Sequence, residues 1–519
     1  MNLVSERRDR GRIAATGSAS IVLALLAVLA FASRAQAAEV IFWDNYSAEP
    51  PTVAFAGMDG SGGGVLNLAG APIDDPEGMA YDSVTNRLFV ASPGTGAKGE
   101  IVYVNLDGSG SAVFTAPGAV FEGPEGVAID PVRRLIFWAN DTGKGSIGWA
   151  RLDGSAGGLL DTTGALVDGV YKLAVDPVNG KVYWNNFEPT PNVISFANAD
   201  NSGGGGNLDL TGAPPPQSIR ALAVDPAGGR IYWQENTKIG YASLAGGGGG
   251  EANLSGAPFN SPYGVAFDPS LGRLYWANYG NGETRTDALG FASLAGGGGG
   301  ITPATAPVDG PQDPVILKSP TGTGAPVISR STAVRAALSC SDGTWAADFA
   351  GSFVYQAPRT FAYQWSLDGA AVPGATASTY MASAPGSYAC TVTATNQTGA
   401  ASQTSAAVAV KAAKAKLTTK RKAKAQPGGI ATFKVKVVNQ GDIQTAKNVK
   451  VCAKVPKKAK ADVKTPKCKK LGKLKGQGKR TATLKFKVGP EASGTYKVTF
   501  RAKGIAGKPV KAKIVVAGA

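Results

Sequence analysis

The chain has 519 residues, 43% hydrophobic and 17% charged, a globular composition long enough for three to four domains. Its formal net charge of +16 is a split rather than a uniform excess: 31 Lys and Arg stand against 3 Asp and Glu from Lys411 onward, and 17 against 32 between Ala38 and Val410. Histidine is absent, which excludes Ser-His-Asp and Cys-His catalysis and imidazole metal ligands and leaves carboxylate chemistry open.

The first 37 residues read as a secretory signal. Arg7, Arg8, Arg10 and Arg12 precede a short apolar run from Ile21 to Ala32, and Ala35-Gln36-Ala37 is a small-x-small cleavage site. Arg7-Arg8 raises twin-arginine export as the alternative to the general route. No later stretch is apolar enough to cross a membrane as a helix. Four cysteines, an even number in an exported chain, point to disulfides, and their spacing matches no zinc site.

From Glu77 the chain repeats itself. "EGMAYDSVTNRLFVAS" at Glu77 returns as "EGVAIDPVRRLIFWAN" at Glu125, "YKLAVDPVNGKVYWNN" at Tyr171, "RALAVDPAGGRIYWQE" at Arg220 and "YGVAFDPSLGRLYWAN" at Tyr263. The aspartates of the repeat stand at 82, 130, 176, 225 and 268, steps of 48, 46, 49 and 43. A period of this size, with four short strands per copy and no helical periodicity, predicts a β-propeller. The Asp-Pro and Gly/Asn turn joins the first two strands, so Asp130, Asp176, Asp225 and Asp268 read as turn caps rather than catalytic acids. Before the first copy, "VIFWDN", "TVAFAGMDG" and "VLNLAGA" supply strands two to four of a blade lacking its first strand. After the last copy, "PVILK" supplies that strand. The prediction is six blades over 39–317, closed by pairing the two ends of the repeat region.

The strands "LYWAN", "VYWNN", "IYWQE" and "IFWAN", with the flanking "VAxDP" and "LDGS" elements, resemble the Tyr-Trp-Thr-Asp strand of the LDL-receptor class B repeat family. The resemblance covers about 39–317 and implies a binding scaffold without catalysis. It departs at the Thr-Asp pair, which is mostly Ala-Asn or Asn-Asn here, in the polyglycine loops, and in lacking flanking EGF modules. Trp43, Trp138, Trp184, Trp233 and Trp276 read as packing between blades rather than as a ligand stripe. The residues that open the first strands, Glu77, Glu125, Tyr171, Arg220, Tyr263 and Gln312, differ from blade to blade. They form either a ligand-binding ring on one rim or a merely hydrated one. Glu77 and Glu125 are the pair that would help hold a Ca²⁺; otherwise no cofactor is expected.

A Pro/Gly/Ser/Thr linker at 318–325 leads to Cys340, Trp365, Tyr388 and Cys390. The Cys–Trp–Cys order with a tyrosine two residues before the second cysteine is the immunoglobulin sandwich pattern, with a Cys340–Cys390 bridge between sheets. "YQWSLDGAAVPGATASTY" resembles the Ig-like modules of bacterial surface proteins, over 326–410. A basic linker, 411–427, precedes a Lys-rich domain at 428–519. Its "IATFKVKVVNQGD" resembles bacterial adhesion-type sandwiches of the DUF11 and CARDB groups. Phe433 to Val437, Leu484 to Val488 and Val510 to Ile514 alternate apolar-in, lysine-out. Cys452 and Cys468 enclose a lysine-rich loop that a second bridge would close.

The expectation is therefore an all-β chain: a six-bladed propeller and two C-terminal Ig-like β-sandwiches. It would be secreted and non-enzymatic, with association at the cell surface as the further expectation: the propeller for a protein or glycan ligand, the Lys-rich domain for anionic cell-envelope polymers. Specific nucleic-acid binding is not expected, because the tail has few aromatics and no reader motif. The alternatives are a metal-dependent propeller hydrolase or lyase, lactonase-like, and a purely structural envelope protein.

Overall fold

The computed structural model describes residues 39–517 except 72, 95–98, 281–286, 332–335 and 443–445. The export segment, 1–37, lies outside the described residues. Two compact units are present: one runs to Pro320 and takes in Ala347–Arg359 and Thr395–Ala400, and the other holds the rest of the C-terminal half. The compact division thus differs from one drawn by sequence position at 318, because two pieces of the stretch read as Ig-like fold with the propeller.

In the first unit, among the described residues, six sheets follow one another along the chain, antiparallel but for one added strand in the sixth. Blades one to five open on the inner strands Gly78–Asp82, Pro124–Asp130, Val170–Asp176, Ala221–Asp225 and Pro262–Asp268. The sixth takes its inner strand, Pro311–Lys318, from the end of the repeat region and its next three, Glu39–Asn45, Thr52–Gly57 and Gly63–Val65, from the beginning. Val40 pairs with Leu317 and Ile41 with Ile316. Lys318 ties the closure, with its Nζ 2.6 Å from Asp268 of blade five and 3.2 Å from Glu39.

The second strands carry the packing between blades. Trp43, Trp138, Trp184, Trp233 and Trp276 are all fully buried. Four of their indole N–H groups donate to a backbone carbonyl in the loop entering the same blade: Val120 at 2.8 Å, Leu166 at 2.9 Å, Pro258 at 3.1 Å and Pro307 at 3.2 Å. The residue two positions on, Asn140 in blade two, accepts from the same loop's backbone at Glu122, 3.0 Å. Gly148 pairs across from Trp138, and a Cβ there would lie 2.1 Å from indole Cε2. Gly148→Val is therefore expected to destabilise the propeller by about 1–3 kcal/mol through overpacking, read as a lower unfolding midpoint; an unchanged midpoint would contradict this packing. The repeated aspartates cap their turns: Asp130 accepts from the amides of Val132 and Arg133, both at 2.9 Å. Asp82 is also gripped by Arg134 of the next blade, at 2.5 and 2.7 Å.

The second unit contains two β-sandwiches. In the first, Cys340 and Cys390 are bonded, Trp365 is buried in the same core, and the Tyr388 hydroxyl donates to the Ala384 carbonyl at 2.9 Å. The second sandwich has two five-stranded sheets. One orders Val463–Lys464, Lys479–Val488, Ile430–Asn439, Lys414–Thr418 and Ala506–Gly507; we call it the front sheet. The other, the back sheet, orders Lys422–Ala425, Val510–Val516, Gly494–Lys503, Ala446–Lys454 and Lys469–Leu474. Phe433, Phe486 and Phe500 meet in the core, and Cys452 is bonded to Cys468.

Candidate functional site

Each inner strand enters the central channel through the residue read as a rim position, and the next residue stands in a tighter ring: Gly78, Gly126, Lys172, Ala221, Gly264 and Asp313. The backbones run close together here, so that a Cβ on Gly126 would lie 2.8 Å from Lys172 Cα. The inner strands of blades two, three and five each carry a register shift at these two positions. Such bulges re-aim side chains, and in blade three the backbone amides of Tyr171 and Lys172 are held by Asn185 Oδ1 at 3.2 and 2.7 Å.

Lys172 crosses the channel. Its Nζ donates to Asp313 Oδ2 on the opposite blade at 2.9 Å and to the Glu77 carbonyl, and lies 3.5 Å from Glu77 Oε2. The Tyr171 hydroxyl donates to Glu77 Oε2 at 2.9 Å. Burial opposes the ammonium, but the charges of Asp313, Glu77 and Glu125 outweigh it and hold Lys172 protonated above its ordinary range. One cation among several buried carboxylates leaves negative charge to be neutralised. Asp44, fully buried and with neither carboxylate oxygen hydrogen-bonded, is raised well above the usual carboxylate range by burial and by Asp313. Glu125 is pushed up to about 9 by burial and by Glu77. Both shifts lower the negative charge that the cluster sets against Lys172.

Below the ion pair the channel is filled. A cavity of 20 Å³, room for about one water, separates Lys172 and Asp313 from Phe353. Phe353 belongs to the segment Ala347–Arg359. Within it Ser352 Oγ donates to the Val224 carbonyl at 2.5 Å, and Val354 and Tyr355 add a parallel strand beside Ile316 and Leu317. The channel is thus closed by an ion pair near one end and by this segment at the other.

What the rim offers to solvent lies to one side of the axis. A 290 Å³ cleft is lined by Tyr171, Arg220, Tyr263, Phe187, Asp141 and Glu188, with Gly169 between them. Arg220 lies 4.5 Å from the Tyr263 ring centroid and donates to its hydroxyl. Phe187 is 43% exposed, and burial together with Glu188 raises the Asp141 carboxyl.

The six residues read as one ring are therefore divided. Tyr171, Arg220 and Tyr263 line the cleft. Glu77, 7% exposed, is engaged by Tyr171 and Lys172 beneath it, and Gln312, 2% exposed, is buried with its Oε1 lacking a hydrogen-bond partner. Glu125 stands beside Glu77 as the cluster's second glutamate. Register shifts fall in the strands that carry Glu125, Tyr171 and Tyr263, two of which line the cleft. Among the described residues no group of three or more Asp, Glu or Cys is arranged to hold a metal ion. Lys172, Asp313, Asp44, Phe187, Asp141 and Glu188 were not singled out from the sequence. Three left a signal: Lys172 and Asp313 stand where the other four blades carry Gly or Ala, and Asp44 follows its tryptophan where others carry Ala, Asn or Gln.

No protein-family model matches the chain, and no curated protein does. Similar solved structures are propeller-containing. A nidogen/laminin complex matches at 18% identity and TM-score 0.42, over 54% of this chain and 98% of that one. A candidate 6-phosphogluconolactonase from Bacteroides uniformis matches at 14% and 0.34, over 58% and 88%. A candidate TolB from Agrobacterium tumefaciens matches at 14% and 0.35, over 54% and 96%. Among the described residues no helix is long and apolar enough to cross a membrane.

Proposed function

We propose that this chain is an exported binding protein, a class B-repeat-like propeller that captures a protein or glycan ligand in its rim cleft and is held at the envelope by its Lys-rich sandwich. The downstream modules are read as a bacterial Ig-like spacer and a DUF11- or CARDB-like domain. The observation that carries this reading is the cleft itself. Rigid aromatic walls, a guanidinium and two carboxylates meet on the open face of a propeller whose axis is blocked, so recognition is left to the rim. A non-enzymatic role is favoured by the state of Glu77: its carboxylate is already taken by Tyr171 and Lys172, so it is not free to act on a substrate. Cation-rich sandwich and acidic propeller divide the work, one for non-specific anchorage and one for specific capture.

The test is co-sedimentation of the chain starting at Ala38 with envelopes of its host, at low and at high salt. Two components are expected: one lost with salt, and one that survives salt but is lost in Phe187→Asp, which places a charge on the cleft's open wall. A chain that sediments at neither salt concentration overturns the reading.

A further inference from the structure

We propose that the back sheet of the Lys-rich sandwich, not the front, is the docking face for an extended polyanion, centred on Lys513 and Lys450. This rests on the anchorage reading above and names the surface and the form of its ligand.

The two sheets treat their outward lysines differently. On the front sheet Lys434 pairs with Thr483, Lys436 with Thr481 and Lys485 with Thr432, so cations face hydroxyls; like charges pair only at the edge, Lys464 beside Lys487. On the back sheet Lys513 is paired on one side with Lys422 and on the other with Lys497. Lys450 is likewise flanked by Lys503 and Lys470. Like charges directly opposite are destabilising, with Cα atoms only ~4.5–5.5 Å apart. The domain has little with which to offset them. Asp442, Asp462 and Glu491 are the only acids from Lys411 onward, and Asp442 is engaged by Arg330 at 3.2 Å.

Two rows of paired cations that the protein itself leaves uncompensated match a ligand carrying charge at every repeat unit. A linear polymer fits better than a bilayer. Lysine ammonium groups act as point charges, while membrane insertion needs apolar side chains among them. Of the large exposed hydrophobic residues described, the one in this domain is Ile430, and it lies on the front sheet.

The experiment uses the full exported chain with long-chain inorganic polyphosphate as the probe. Two triple variants of equal net charge are compared, K450Q/K497Q/K513Q on the back sheet and K434Q/K436Q/K485Q on the front. At low salt the back-sheet variant should lose about tenfold or more in affinity with a salt slope shallower by about 2–3, against about threefold or less for the front-sheet variant. A second readout guards against misfolding. Without polymer the back-sheet variant should melt no lower than wild type, and polymer should raise the melting temperature of wild type but not of that variant. Equal losses in the two variants, no binding of polyphosphate by wild type, or tighter binding to anionic-lipid vesicles than to the polymer would each overturn the proposal. Salt-sensitive sedimentation with envelopes that persists in both variants would do so while leaving the anchorage reading intact.

Discussion

Lys172→Met is expected to destabilise the propeller by about 3–5 kcal/mol, the cost of leaving buried charge without its partner. Lys172 is 3% exposed, and its ammonium spends its hydrogens on Asp313 and on two atoms of Glu77. Methionine keeps most of the volume but none of the donors, so the two carboxylates that faced a cation would face each other and Asp44. The double variant Lys172→Met/Asp313→Asn should recover part of the loss, because it removes a charge together with its counter-charge. Arginine should not substitute, since its planar fork does not fit a site built for a compact ammonium between a carboxylate and a carbonyl. Denaturant unfolding of the three variants measures this. A single variant that unfolds within about 1 kcal/mol of wild type would mean that the cluster is already neutral without Lys172.

The fold was legible because it is written in repetition. Asp-Pro turns, tryptophans at one place per copy and a missing first strand made up by "PVILK" have one economical solution, and strand pairing at Val40 and Leu317 is that solution. Cys340, Cys390, Trp365 and Tyr388 each mark one packing site: the two cysteines are bonded, the indole is buried in their core and the hydroxyl reaches the Ala384 carbonyl. The site was less legible for a physical reason. Aligning copies finds positions that vary, and Glu77, Tyr171 and Gln312 do vary. It does not show that Glu77 and Gln312 are buried, nor that Lys172 reaches from blade three to blade six. Phe187 and Glu188 lie in a loop outside the aligned strands, so the repeat says nothing of them. The segment Ala347–Arg359 was hidden for another reason: it lies in sequence between Cys340 and Trp365, and local sequence assigns it to their module, while its burial puts Phe353 under the channel.

The same cluster sets how stability responds to pH. Glu125 has an ordinary value of 4.5 in an unfolded chain and about 9 in the folded one. Between those values the folded state holds a proton that the unfolded state has released. Stability from this group is fully present below about 4.5 and is lost as pH rises toward 9, with a slope of at most about 1.4 kcal/mol per pH unit. Asp44 is shifted in the same direction by burial and by Asp313, and adds to the fall. On the acid side the sign reverses at Asp82, where the hydrogen bonds from Arg134 and Thr85 outweigh burial and lower the carboxyl below its ordinary 3.8. That contribution is lost only as pH falls through the lowered value. The propeller should therefore be most stable near pH 4–5 and should lose on the order of 2–3 kcal/mol between pH 6 and 8. Glu125→Gln keeps the shape, removes the titration and should flatten that slope, leaving the variant more stable than wild type at pH 8. Melting midpoints across pH 5 to 9 test it. Wild-type and Glu125→Gln curves that run parallel would show that the proton resides elsewhere. If only Asp44→Asn flattened the slope, the charge balance around Lys172 would be kept by Asp44 alone.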